Sequence, residues 1–402
     1  MNSVVQTVEQ LFDNESNCRK ISDVLDQATY QWAAGTRVVR RNLCRVYLIH
    51  DFSTYDPLQQ RGERPMKLHI LFVVIGLLSV SSFGVGQLAN SLGANHFPVG
   101  GNTEIWQEDA QEEDEHLLGG AVQRRPTQTV PKDPFLVTTV LTDDRYPPFP
   151  KYLSSCGIVL AATKTVPDEF LILVGRAIDE IFARRDGLDL AVQRKLVADL
   201  HAYGALLPVP RTERSFERLL RRDEPAFDRL HQQYSICDII MADVPEGQVM
   251  EVVEHILHTV TDVGLHYRFP KEWGLSRDSE LWKAMQLAIE KGYYNVDSYD
   301  DLGDAPQQVV DRILLQEFAY WFITTAWDLQ VAYGPDEDEW TLRTPADLKA
   351  KLPEFFAVYQ RTAATVLSAP SPATLAKIGP TRSEENAKRG QEPISQNRQP
   401  CR

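Results

Sequence analysis

The part of the sequence richest in groups that can do chemistry is EVVEHILHTVTD, residues 251–262. On an α-helix at about 100° per residue, its carboxylates and imidazoles fall within an arc of about 100°. These side chains are Glu251, Glu254, His255, His258 and Asp262. The opposite side of the helix is apolar, so the segment is amphipathic. The polar arc therefore faces either water or a bound ion.

The composition of this arc distinguishes it from an ordinary solvated helix face. It holds only carboxylates and imidazoles, which are ligands of Zn²⁺ and similar ions, and it has no Lys, Arg, Gln or Ser. Three acidic groups this close repel one another unless a cation or a buried proton relieves them. A metal or catalytic site and a solvated face are both consistent with the sequence.

Two ligand registers fit the helix, because side chains at i and i+4 meet on one face. In the first, Glu254 and His258 are the ligands, and His255 stands at the general-base position of an HExxH motif. In the second, Glu251 and His255 are the ligands, and Glu254 is the catalytic base of an inverted HxxEH motif. Each register has Glu where the zinc motif has His, and carboxylates also ligate Zn²⁺.

A second feature is the segment 306–332, PQQVVDRILLQEFAYWFITTAWDLQVA, which is apolar around almost its whole circumference. It predicts a central buried helix, and its charges argue against a membrane span. Glu317 lies within it. A buried carboxylate needs a partner or a proton, since desolvation costs several kcal/mol. Glu317 is therefore a salt-bridge partner, a protonated hydrogen-bonding group or a third metal ligand.

The order of these segments resembles gluzincin-type zinc metallopeptidases, in particular the lethal-factor-like catalytic domain, over about residues 155–365. The strand GIVLAAT and the helix PDEFLILVGRAIDEIF precede the histidine-bearing helix, and Glu317 follows on a later helix. The resemblance implies a zincin-like core, bound Zn²⁺ and a peptide or protein substrate. It also implies His258 and Glu317 as ligands, with Glu254 as a substituted ligand. The HExxH motif itself is altered, so the water-activating Glu is missing in the first register.

The rest of the chain predicts an α+β fold that is mainly helical, with a small sheet near its start. The strands are predicted at 135–141 and 156–163, with a turn or short edge strand at 205–210 and a further strand at 236–241. The predicted helices cover 167–185, 190–204, 247–263, 278–291, 306–332 and 345–367, with further helix in the segments 214–222 and 225–235.

Residues 66–91 have the organisation of a secretory signal peptide: Lys67, an unbroken apolar run at 68–80, and then small residues. Either translation begins at Met66 and residues 1–65 are a misassigned N-terminal extension, or 68–86 is a signal anchor in the membrane. Both alternatives place residues 92–402 outside the cytoplasm, secreted or membrane-anchored.

Composition divides the remainder into an acidic disordered linker at 92–134, a globular domain at 135–378 and a disordered tail at 379–402. The net charge of −14 argues against nucleic-acid binding. The five cysteines form no metal-binding spacing, and Cys156 and Cys237 are either a disulfide pair or buried small residues.

Two functions follow from these observations. The first is an exported or membrane-anchored metallopeptidase-like protein, active or degenerate, with its metal between two helices. The second is a non-catalytic extracytoplasmic binding or scaffold domain, in which the polar arc is solvated or contacts a partner.

Overall fold

The computed structural model describes residues 121–391, except 303–304 and 336–337. Over these residues the fold is α+β and mainly helical, with one four-stranded sheet near its start, as the sequence predicts. The predictions for 1–65, 66–91, 92–120 and 392–402 lie outside the described residues. Within the described part, no helix is long and apolar enough to cross a membrane.

The sheet has the strand order β1-β2-β3-β4, and its first two pairings are antiparallel while the third is parallel. Its strands are β1 (Leu141–Tyr146), β2 (Phe149–Ser155), β3 (Ile158–Ala162) and β4 (Leu206–Val209). The tight turn between β2 and β3 has positive φ at Cys156 and Gly157, as two-residue hairpins require. A Cβ on Gly157 would lie 2.7 Å from the carbonyl oxygen of Val197, so only glycine fits.

Helices form most of the remaining regular structure of the described residues, and two of them make the crossover between the parallel strands β3 and β4. In chain order the helices are α1 (Asp168–Ile181), α2 (Leu190–Ala202), α3 (Glu213–His231), α4 (Gln248–Thr259), α5 (His266–Arg268), α6 (Pro270–Trp273), α7 (Glu280–Glu290), α8 (Gln307–Ala326), α9 (Pro345–Lys351), α10 (Pro353–Arg361), α11 (Pro372–Ile378) and α12 (Arg382–Gln391). A π-helix, Val260–Leu265, joins α4 to α5, and short 3₁₀ turns cover Asp297–Leu302 and Ala363–Thr365.

The predicted strands are only partly confirmed. Strand β3 lies within 156–163 and β4 within 205–210, but in the segment 135–141 only Val137 forms an isolated bridge before β1 begins. Strand β2 is not predicted from the sequence, because FPKYLSS contains Pro, Lys and Ser in place of an apolar run. The segment 236–241 is extended beside β4 without forming a strand, and Ile240 donates its backbone N–H to the Pro208 carbonyl.

The packed region is larger than the predicted domain at both ends. Ala121 and Val122 are buried, and the backbone N–H of Ile236 donates to the Ala121 carbonyl, so the predicted linker does not extend over residues 121–134. Residues 382–391 of the predicted disordered tail form α12, whose Glu385 accepts a hydrogen bond from the backbone of Gly247. Hydrogen bonds to the domain therefore hold both segments in place.

The core brings α4 and α8 together. The apolar face of α4 is fully buried in the main hydrophobic cluster, as are Phe318 and Phe322 of α8. The apolar residues that α4 contributes include Val252, Val253, Ile256 and Leu257. The cysteines Cys156 and Cys237 are both buried and both free, so the disulfide alternative is wrong.

Candidate metal centre

The polar face of α4 turns toward α8 and toward the segment that follows α3, where Asp238 lies. His258 and Asp262 have no exposed surface, and Glu317 on α8 is 4% exposed. Glu254 and His255 are only partly exposed. The solvated-face alternative is therefore wrong for the centre of the arc, because α8 and the Asp238 segment cover it.

One group of three potential ligands consists of Glu254, His258 and Glu317, whose ligand atoms all lie within 4.8 Å of one another. The distance from His258 Nε2 to Glu317 Oε2 is 3.4 Å. Two ligand atoms bound at 2.0–2.1 Å to a tetrahedral ion are separated by about 3.3–3.4 Å. This pair is therefore spaced as two ligands of one ion are.

Two buried atoms of this group also lack hydrogen bonds. Among the described residues, neither His258 Nε2 nor Glu317 Oε1 has a hydrogen-bond partner. Buried polar atoms normally have one, because leaving a donor or acceptor unpaired costs about 1–3 kcal/mol. A cation held by Glu254, His258 and Glu317 would satisfy both atoms.

A second group contains Asp238, His255 and His258. Asp238 Oδ2 lies 2.6 Å from His258 Nδ1 and 3.0 Å from His255 Nδ1. The first distance is that of a charge-assisted hydrogen bond and is too short for two ligands of one ion. Asp238 is therefore placed like the carboxylates that orient metal-binding histidines through the opposite ring nitrogen.

Glu251 and His255, the ligands of the second register, do not form a three-ligand group with Glu317 among the described residues. Glu251 Oε1 lies 3.3 Å from His255 Nε2 and accepts the backbone N–H of Met241 at 2.7 Å. Within the described chain, both candidate groups contain His258 and neither contains Glu251. His255, which the first register places at the base position, has a carboxylate next to each of its ring nitrogens.

Two polar residues of helix α8, Arg312 and Gln316, form hydrogen bonds on the Nδ1 side of His258. The Arg312 guanidinium donates to Gln316 Oε1 at 2.6 Å and to Asp262 Oδ2 at 3.1 Å. The amide nitrogen of Gln316 lies 2.9 Å from His258 Nδ1 and 3.3 Å from Asp238 Oδ2. Asp262 lies in the π-helix that follows α4, a distortion often found at functional sites.

The electrostatics of this cluster favour a cation. Burial alone would lower the pKa of His258, but the carboxylates of Glu317 and Asp238 raise it to about 10. Burial opposes the charged form of His255 as well, yet Asp238 and Glu251 raise its pKa well above the ordinary value. The surplus of buried carboxylate is therefore neutralised by protons on the imidazoles when no metal is bound.

Tyr320 lies one turn beyond Glu317 and faces the same group. Burial and the neighbouring carboxylate of Glu254, with which Tyr320 forms a hydrogen bond, raise its pKa well above the usual range. Its hydroxyl therefore stays protonated and serves as a donor toward the Glu254 side of the site.

Sequence reasoning missed Asp238, Arg312, Gln316 and Tyr320. The signal for Asp238 is the one that identified Glu317: a single charged residue within an apolar run, here SICDIIM at 235–241. No comparable signal exists for Gln316, because its role depends on how α8 packs against α4.

Comparisons with known protein families, with curated proteins and with solved structures found no match to this chain.

Proposed function

We propose that this protein binds a divalent metal ion, with Zn²⁺ as the first candidate, through Glu254, His258 and Glu317. The observation that carries the proposal is the 3.4 Å separation of His258 Nε2 and Glu317 Oε2, beside buried atoms that have no hydrogen-bond partner in the part of the chain that the structure describes. Imidazole and carboxylate are both ligands of Zn²⁺. His258 in addition has the carboxylate partner on Nδ1 that metal-binding histidines commonly have.

The number of ligands favours a catalytic role. Structural zinc sites are closed by four protein ligands, whereas catalytic sites use three and leave a position for water. A bound ion would supply a polarised, more acidic water as the nucleophile. Together with the resemblance to gluzincins, this supports an exported or membrane-anchored metal-dependent hydrolase that acts on peptides or proteins.

In this proposal His258 and Glu317 hold the ion, and Glu254 lies on the side that is partly open to solvent. Two roles are open to Glu254: third ligand, or the carboxylate that accepts the proton of the water. Tyr320 holds the Glu254 carboxylate by a hydrogen bond in either role.

A second candidate is a non-catalytic extracytoplasmic binding or scaffold domain. The observation in its favour concerns His255, which stands where HExxH has its glutamate and has Asp238 and Glu251 beside its ring nitrogens. If Glu254 is a ligand, no carboxylate remains at the motif's base position. The centre would then be a structural metal site or a metal-free network of imidazoliums and carboxylates.

The test is the metal content of the purified full-length chain, measured by elemental mass spectrometry beside a His258→Ala, Glu317→Ala variant. The expected result is near-stoichiometric metal in the parent and none in the variant, followed by peptide hydrolysis that depends on the metal. Absence of metal after reconstitution with Zn²⁺ would reject the proposal. Stoichiometric metal without hydrolysis of a peptide library would favour the binding domain.

A further inference from the structure

Asp238 and Gln316 require opposite protonation states of the same nitrogen of His258. Asp238 Oδ2 lies 2.6 Å from Nδ1, and the Gln316 amide nitrogen lies 2.9 Å from the same atom. A carboxylate only accepts hydrogen bonds, so it requires a proton on Nδ1. An amide NH₂ only donates, so it requires a bare lone pair there.

Arg312 fixes which end of the Gln316 amide faces the histidine. Its guanidinium can only donate, and it lies 2.6 Å from Gln316 Oε1. The amide oxygen is therefore directed to Arg312, and the NH₂ group is directed to His258 and Asp238. Arg312 is itself held by the buried carboxylate of Asp262.

Asp238 is also fixed in place. Its Oδ1 accepts the backbone N–H of Ile239 at 2.8 Å, and its Oδ2 lies 3.3 Å from the Gln316 amide nitrogen. With Asp238 ionised, the Gln316 NH₂ donates to Oδ2, and Nδ1 of His258 keeps its proton. In the neutral imidazole, the form that can bind a metal, Nε2 is then the nitrogen with the free lone pair, and it faces Glu317.

We propose that Asp238 is the positioning residue that selects the metal-binding tautomer of His258, against the opposite tautomer that Gln316 alone would stabilise. This inference deepens the proposed metal function and rests on it for its effect on affinity. If Asp238 lost its charge, the Gln316 amide would donate to Nδ1 and move the proton to Nε2, where it blocks the position between His258 and Glu317.

The test compares three variants of the full-length chain for zinc affinity, measured by competition with a chelator. Asp238→Asn should bind Zn²⁺ about 10–100-fold more weakly than the parent. Adding Gln316→Glu to Asp238→Asn places a carboxylate beside Nδ1 again and should restore most of the lost affinity, since Arg312 can hold a Glu as it holds Gln. Gln316→Met removes the competing donor together with the acceptor of Arg312. Its affinity for Zn²⁺ should therefore fall much less than that of Asp238→Asn.

Histidine ¹⁵N NMR of the metal-free protein gives an independent measurement. Above the pH at which the His258 imidazolium loses a proton, the parent should keep its remaining proton on Nδ1, and Asp238→Asn should move it to Nε2. This result would support the tautomer selection even if the parent bound no metal and the proposed function failed.

Two outcomes would overturn the inference while leaving the metal centre intact. One is a double variant as weak as Asp238→Asn, because a restored acceptor would then have no effect on the histidine. The other is a loss of affinity in Gln316→Met as large as that in Asp238→Asn, because both residues would then act only through packing.

Discussion

His258 Nε2 and Glu317 Oε2 lie 3.4 Å apart in the protein interior, on two different helices, although the two residues are 59 positions apart in the sequence. His258 has no exposed surface and Glu317 is 4% exposed, so water does not compensate their charges. Either a proton on His258 or a metal ion between the two residues must do so. The predictions below separate these alternatives.

The first prediction concerns the ligand register. Glu317→Gln keeps the shape of the side chain but removes its charge, and it should reduce zinc binding at least 100-fold, the upper range of outer-shell effects. Glu251→Gln is the matched control on α4: its carboxylate lies beside His255, outside both three-ligand groups, and it should leave the zinc stoichiometry unchanged. Elemental analysis after gel filtration measures both. Loss of metal in Glu251→Gln with retention in Glu317→Gln would instead support the second register.

The second prediction separates the two roles of Glu254. If Glu254 is the third ligand, Glu254→Gln should lower both the zinc content and the rate of peptide hydrolysis. If Glu254 is the base, the variant should keep its zinc and lose about 10²–10⁴-fold in rate. Tyr320→Phe is the accompanying control, since it removes only the hydrogen bond to Glu254 and should change the rate less than Glu254→Gln does in either case.

The third prediction concerns the protons that the protein releases when a metal ion binds. The neighbouring carboxylates raise the pKa of His258 to about 10, so at neutral pH the metal must displace a proton from this imidazole. Zinc affinity should therefore rise about tenfold per pH unit below that pKa, and calorimetry in buffers of different ionisation enthalpy should show proton release. A pH-independent affinity would show that His258 is not a ligand.

The raised pKa of His258 also predicts how the stability of the metal-free protein depends on pH. Because the pKa of His258 is higher in the folded than in the unfolded state, its protonation stabilises the fold fully below about pH 6.5. That contribution should decline as the pH rises toward 10, and His258→Gln should lack this decline. Chemical denaturation across this pH range measures the difference between the two proteins.

A further prediction concerns an acid-sensitive group outside the centre. Burial lowers the pKa of His231 from 6.5 to about 4, and neither ring nitrogen has a hydrogen-bond partner among the described residues. Its protonation favours the unfolded chain, so stability should fall as the pH drops from 6.5 to 4, by up to about 3 kcal/mol. His231→Leu should remove this part of the acid sensitivity. An identical pH profile for parent and variant would mean that His231 is solvated.

Much of the helical fold could be predicted from the sequence, because the helices carry their own signals. Helix α1 begins after Pro167 with acidic residues in its first turn, and α2 begins after Asp189, whose side chain caps it. The strands β1 and β2 could not be predicted, since LTDDRY is almost wholly exposed and FPKYLSS is mixed. Their pairing is decided by partners rather than by local pattern.

For the candidate site, the sequence predicted which residues share a helix face but not what covers that face. Helical spacing places Glu254 beside His258, and the apolar surroundings of Glu317 mark it as unusual. The orientation of His258 depends on Asp238, which pairs with it from an extended segment twenty residues upstream. No periodicity connects such a segment to α4, so only the tertiary structure reveals the contact.

The last prediction tests the buried pair that supports Gln316. Arg312 and Asp262 are 4% and 0% exposed and lie 3.1 Å apart, so removing one partner leaves a buried charge without compensation. Arg312→Met should destabilise the protein by about 3–5 kcal/mol, and the double variant with Asp262→Asn should be less destabilised than the single one. The matched control is the exposed pair Arg211 and Asp243, where Arg211→Met should cost less than about 1 kcal/mol. Urea denaturation followed by circular dichroism measures the free energy of unfolding of the parent and of the three variants. A double variant at least as unstable as Arg312→Met would show that Asp262 has another cationic partner, and that Arg312 stabilises the fold through Gln316 alone.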